Sequence, residues 1–198
     1  MAHHLYETDA FIVGLYPANE ANRTYLLFTE NLGLVEAKAQ GVRLNKSKLR
    51  YSLQAISKTR ISLVRGREQW RIVGAQEPTH YWLDFKEEPE KVALIERFLF
   101  LVRRLIHGEE RNLRVYQTLN LAINFLEETK VISNEELYLL EIVAVARILS
   151  ALGYFEPKKT YLEILEENGI TAESLTKANL CKKELLFDIN SALKETHL

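Results

Sequence analysis

The chain has 198 residues, 47% of them hydrophobic, which suffices for a real core and lies between one large domain and two small ones. One cysteine, Cys181, excludes an internal disulfide and a Cys-only zinc site, so a reducing, cytoplasmic setting is expected. The net charge of −1 hides an asymmetry: residues 1–76 hold 11 basic and 6 acidic residues, and residues 77–198 hold 15 and 21.

The amino-terminal residues up to Glu7 are polar and contain histidine, and no signal-peptide pattern is expected from them. From there to residue 76, β-branched and aromatic residues alternate with polar ones between Gly and Asn punctuation. Five strands are predicted: Thr8–Tyr16, Thr24–Thr29, Leu34–Val42, Ser57–Val64 and Gln69–Ala75. Short turns at Asn31–Gly33 and Arg65–Glu68 join two of the pairs. In the fourth strand Thr59, Ile61 and Leu63 share one face, and Lys58, Arg60 and Ser62 the other, as a barrel wall with one wet side requires. Five short strands with one long polar connection, Leu44–Gln54, fit a small closed barrel of the OB-fold kind.

After Pro78 the period becomes helical, with helices expected at Pro89–Ile106, Leu113–Glu128, Asn134–Leu152, Tyr161–Glu167 and Lys182–Lys194. Asn134 is the expected cap of the third. That helix holds the longest apolar stretch, Leu137–Tyr154, but Glu141 and Arg147 interrupt it, which argues for a buried helix over a membrane span. The fold class is therefore α+β, with an OB-fold barrel domain over residues 1–78 and an all-helical domain over 79–198.

Between Lys38 and Arg71 there are ten basic residues and a single acidic one, Glu68. Such a run neutralises phosphates and releases counterions, although a charged segment can equally be a solvated face. Arg43, Lys46, Lys48 and Arg50 crowd the long connection, while Lys58, Arg60 and Arg71 are expected on one outer surface. Tyr51 and Trp70 are the nearest rings for stacking an unpaired base, with burial in the barrel as the competing role.

Nothing points to bond-making chemistry. The pairs Glu87–Glu88, Glu109–Glu110 and Glu166–Glu167 are adjacent on helices and do not converge. His3, His4, His80, His107 and His197 are scattered, and no phosphate-binding glycine loop or nucleophile elbow occurs. No metal or cofactor is implied.

The run FIVGLYPANEANRTYLLFTENLGLVEAKAQGV, Phe11–Val42, followed by RLNKSKL, Arg43–Leu49, resembles the amino-terminal domain of the bacterial recombination mediator RecO. The positions that carry the pattern are Glu20, Arg23, Leu27–Thr29, Gly33, Leu34, Gly41, Lys46, Ser47 and Leu49. RILSALGYFEP, Arg147–Pro157, resembles the family's Arg-led helix ending in Leu-Gly-Tyr and a nearby Pro. Many members place four zinc-binding cysteines soon afterwards; here Lys158, Lys159 and Thr160 follow, so the resemblance is to a short form without that module.

The resemblance implies a protein that is not an enzyme. It would bind single- and double-stranded DNA, anneal complementary strands and, with RecR, help RecA onto DNA coated by single-stranded DNA-binding protein. The implied DNA-binding set is Arg23, Lys38, Arg43, Lys46, Lys48, Arg50, Lys58, Arg60 and Arg71. The tail of single-stranded DNA-binding protein, acidic and apolar, would need a basic rim on the helical part. Arg103, Arg104, Arg111, Arg114 and Arg147 are the candidates, with helix-end solvation, or for Arg147 an internal carboxylate such as Glu141, as their competing roles. Two other readings stay open: an OB-fold RNA-binding or translation-associated module, and a metal-dependent nuclease built on the acidic half.

Overall fold

The computed structural model describes residues 4–67 and 69–195; the end of the expected Arg65–Glu68 turn, and His3 and His197, lie outside them. The chain divides into two compact units, Met1–Leu113 and Arg114–Leu198.

In the first unit β1 (Leu5–Pro17), β2 (Arg23–Thr29), β3 (Gly33–Ala39), β4 (Ser57–Arg65) and β5 (Trp70–His80) close into a barrel in the order β1-β2-β3-β5-β4. All neighbours are antiparallel except β3 and β5, which run parallel. The expected alternation decides the register. Thr59, Ile61 and Leu63 point inward and are buried, as are Val35, Ala37 and Ala39 from β3 and Trp70 and Ile72 from β5. β3 is shorter than expected because Gly41 turns the chain with φ +64, a left-handed value that glycine adopts without a Cβ clash.

β1 is buried on both faces. Ala10 and Ile12 enter the barrel core, while Phe11 and Val13 are buried on the outside, where α3 (Pro89–Leu105) packs along the strand. The helix brings a stripe of Leu94, Ile95, Phe98, Leu99 and Val102, spaced for one face. β5 ends at His80 and helices follow, while the first compact unit runs to Leu113, since the outer face of β1 is covered by α3. Two single helical turns that periodicity is too short to signal, α1 (Leu49–Ser52) and α2 (Tyr81–Asp84), sit in the long connection and after β5.

The second unit contains α4 (Leu113–Glu128), α5 (Asn134–Ala151), α6 (Leu162–Glu166), α7 (Ala172–Leu180) and α8 (Lys182–Glu195). α5 is buried nearly all round, and α6, α7 and α8 pack on it. Its cap is Ser133, not Asn134. Ser133 Oγ accepts from the Glu136 N–H at 3.2 Å, and Glu136 Oε2 accepts from the Ser133 N–H at 2.8 Å, a reciprocal capping box. The backbone hydrogen bond from Ser133 holds the Glu136 carboxyl below its ordinary pKa. α7 escaped the sequence reading because its box pairs Thr171 with Ser174 in place of Glu or Gln. No helix among the described residues is long and apolar enough to cross a membrane.

Candidate nucleic-acid interface

The long connection is a folded loop tied at both ends. Val42 and Leu53 insert into the barrel core, and the Tyr25 hydroxyl donates to the Leu53 carbonyl at 3.3 Å. Burial raises the Tyr25 pKa, with the Arg23 guanidinium beside it acting in the opposite sense. At the loop's start the Gly41 N–H donates to Asn22 Oδ1 at 2.8 Å, and the Arg43 N–H to the Ala21 carbonyl at 3.1 Å. Arg43 Nη1 then donates to the Asn19 carbonyl at 2.9 Å, which pins the loop to the β1–β2 turn. Two further turns and α1 complete it, with Arg50 Nη1 donating to Asn45 Oδ1 at 2.9 Å.

With the apolar residues anchoring the loop, Arg43, Lys46, Lys48 and Arg50 are all left exposed. Among the described residues none of the four is ion-paired to Asp or Glu. No carboxylate occurs between Lys38 and Arg67. Four unneutralised cations on one anchored loop create a local positive potential that a polyanion lowers by displacing its own counterions.

The remaining cations form separate groups. Lys38 and Arg71 are direct neighbours across the parallel β3–β5 ladder, both half-buried on the outer face, and two like charges side by side favour an anion between them. Arg60 is exposed but lies opposite Asp9 on β1, which offsets part of its charge. Lys58 lies opposite Phe11, with Nζ 5.6 Å from the ring centroid, on the strand that α3 packs against. Lys58, Arg60 and Arg71 do all face outward. Yet Val64, the partner of Arg71, lies six positions along β4 from Lys58, a span of about 20 Å at the usual strand rise. They are therefore not one continuous patch.

The two candidate rings part company. Trp70 is 5% exposed, packs edge-on to Tyr6 at 5.0 Å and donates from Nε1 to Glu109 Oε1 at 2.9 Å, so it belongs to the core. Arg65, paired with the same Glu109, lies over its ring, 4.8 Å from the centroid. Tyr51 is 65% exposed, on the basic loop. Trp82, which the sequence reading passed over, is 46% exposed on α2.

Of the candidate partner-binding arginines, Arg103 and Arg104 end α3, over the rings of Tyr16 and Phe100, and Arg111 donates from Nε to the Glu30 carbonyl at 3.2 Å. Arg103 and Glu96 also line a cleft of about 270 Å³ whose apolar wall includes Ile12, Leu15, Leu99 and Phe100. Arg114 is exposed on α4 in the other unit. Arg147 is 5% exposed and fills a structural place. Its Nη2 donates to the Ile164 and Gly169 carbonyls at 2.6 and 2.8 Å and its Nε to Ile164 at 3.2 Å. Its partners are backbone carbonyls, not the carboxylate Glu141, and they tie α5 to α6 and to the turn that follows it. Burial lowers its pKa, with Glu167 acting in the opposite sense.

Where the resemblance lacks a zinc module, Lys158 Nζ lies 2.8 Å from Asp188 on α8, and the Tyr161 hydroxyl donates to the same carboxylate. Burial and this hydrogen bond push the Tyr161 hydroxyl up to about 12. Burial acts to raise Asp188, but its hydrogen bonds from Lys158 and Tyr161 prevail and leave it below the ordinary value. Among the described residues no group of three or more His, Cys, Asp or Glu side chains is placed to hold a metal ion.

Comparison with known proteins agrees with the barrel. The family described as recombination protein O N-terminal matches residues 1–77. DNA repair protein RecO of Dehalococcoides mccartyi strain CBDB1 is 29% identical over 187 residues, covering 94% of this chain and 65% of that protein. RecO of Gloeothece citriformis is 24% identical over 184 residues, covering 88% and 65%. RecO of Alkaliphilus metalliredigens is 23% identical over 127 residues, covering 64% and 51%. The chain thus spans about 65% of the length of the first of these relatives. A five-stranded closed barrel, a helical second part and matches that run through both make this chain similar to RecO proteins along most of its length, and residues 1–77 carry the RecO family's amino-terminal domain.

Proposed function

We propose that this chain binds single- and double-stranded DNA through the loop bearing Arg43, Lys46, Lys48 and Arg50 and promotes annealing of complementary strands. The observation that carries the reading is the exposure of these four cations on a loop anchored at both ends, with no carboxylate paired to them. Annealing two polyanions requires that their repulsion be screened and their bases stay accessible; it needs no catalytic side chain. Lys38 and Arg71 offer a second contact on the outer face of the barrel, and Arg23, Arg60 and Lys58 are separate, weaker ones. As the family implies, the protein then works as a non-enzymatic cytoplasmic mediator with RecR, in RecA loading onto DNA covered by single-stranded DNA-binding protein. The acidic tail of that protein is captured near Arg103, Arg104, Arg111 or Arg114.

Replacing the four loop cations together with Ala tests the reading. Affinity for single strands of unrelated sequence should fall by a similar factor for all of them, together with the annealing rate. Unchanged affinity and annealing would overturn it.

A further inference from the structure

The basic loop also brings two exposed rings to one place. α1, which carries Tyr51, packs on β5, and β5 ends in His80 just before α2 carries Trp82 outward. The Tyr51 ring meets His80 edge-on with centroids 4.9 Å apart, and His80 lies 6.4 Å from Trp82. His80 is 4% exposed, and neither of its ring nitrogens has a hydrogen-bond partner among the described residues. A buried imidazole without a partner is costly, so its retention between two exposed rings calls for a role. The backbone beside it is strained. Ile56, a β-branched residue, has φ +53, and its carbonyl accepts the Tyr81 N–H at 3.2 Å, tying the end of the loop to α2. Strain of this kind persists only where the surrounding structure holds it, and it gathers where geometry serves a purpose.

We propose that Tyr51 and Trp82, braced by His80, form a stacking platform for unpaired bases of a single strand whose phosphates run along Lys48 and Arg50. This rests on the DNA-binding reading above and adds to it a preference for exposed bases. The charge pattern favours a nucleic acid over an apolar protein segment, because the chain carrying Tyr51 holds no carboxylate from Lys38 to Arg67. On the far side Asp84 follows Trp82, which sets the phosphate path on the loop side. The other barrel-side aromatics are spoken for: Tyr25, Phe11, Phe28 and Trp70 are buried, Tyr6 packs on Trp70, and Arg103 covers Tyr16.

The test uses the full chain, an oligothymidylate, and an abasic strand with the same number of phosphates. Trp82 is the exposed one of two tryptophans, so its fluorescence reports stacking directly. Oligothymidylate should quench it and bind at least about fivefold more tightly than the abasic strand, given the usual strength of base–aromatic stacking. Tyr51→Ala and Trp82→Ala should each lower thymidylate affinity toward the abasic level. Tyr51→Phe should keep it, and Trp82→Phe should keep the affinity while losing the quench. Equal affinity of the wild type for both strands, or no loss in Tyr51→Ala, overturns the platform while leaving the basic-loop reading standing. Failure of both strands to bind overturns both.

Discussion

Gly33→Ala gives the sharpest test of how the barrel is closed against the segment after α3. Gly33 has φ +71, and a Cβ built there would lie 2.2 Å from the Glu110 carbonyl oxygen, 2.7 Å from its carbon and 2.8 Å from its nitrogen. Ordinary C···O approach is ~3.3 Å, so the backbone would have to part by roughly 1 Å. It is not free to do so, because the Leu34 N–H donates to the Gly108 carbonyl at 3.0 Å and Thr29 Oγ1 donates to the Gly33 carbonyl at 2.8 Å. Left-handed backbone costs an alanine about 1–2 kcal/mol, and the overlap adds ~1–3 kcal/mol of overpacking. The total of about 3 kcal/mol should lower the urea midpoint by ~1.5 M at a slope near 2 kcal/mol per molar. Gly108→Ala is the internal control: it has φ +77, with nothing within 4 Å of its Cβ position, and should lose only the backbone part. Equal losses in the two variants, measured by urea unfolding at constant slope, would refute the argument from close approach.

Arg147→Met should destabilise the protein by ~2–4 kcal/mol, since it strands the Ile164 and Gly169 carbonyls, yet leave DNA affinity unchanged; thermal unfolding and a binding titration check the pair. Arg147→Lys should lose most of the same stability, because one ammonium cannot reproduce the fork. A fragment of residues 1–113 should unfold cooperatively, whereas residues 1–78 lack α3 and expose Phe11 and Val13; a binding dye for apolar surface should report the difference. For Tyr161, raised in the fold to about 12, stabilisation is fully present below the phenol's ordinary value of 10 and is lost as pH rises toward 12. Unfolding free energies of wild type and Tyr161→Phe, compared from pH 8 to 12, should therefore converge at the alkaline end.

Much of this architecture could be read from residue pattern because the pattern and the packing share one cause. Alternation in Ser57–Val64 marks the inner face of β4, and the basic density of residues 43–50 survives folding as an exposed loop. What stayed hidden depended on tertiary partners. The outer face of β1 looks like part of any apolar strand, and nothing local to it tells that α3 will cover Phe11. The partners of Arg147 could not be read, because they are carbonyls of residues 17 and 22 positions away, which carry no sequence signature, and not a carboxylate such as Glu141. Trp82 escaped notice because the turn that exposes it is four residues long.

The most direct measurement of the central claim is the salt dependence of affinity for a single strand. With four phosphates neutralised by Arg43, Lys46, Lys48 and Arg50, log affinity against log salt should slope by about −3 for the wild type. The four-Ala variant should bind more weakly with a clearly shallower slope, set by the remaining barrel cations. A wild-type affinity that hardly changes with salt, or a variant with the wild-type slope, would contradict it.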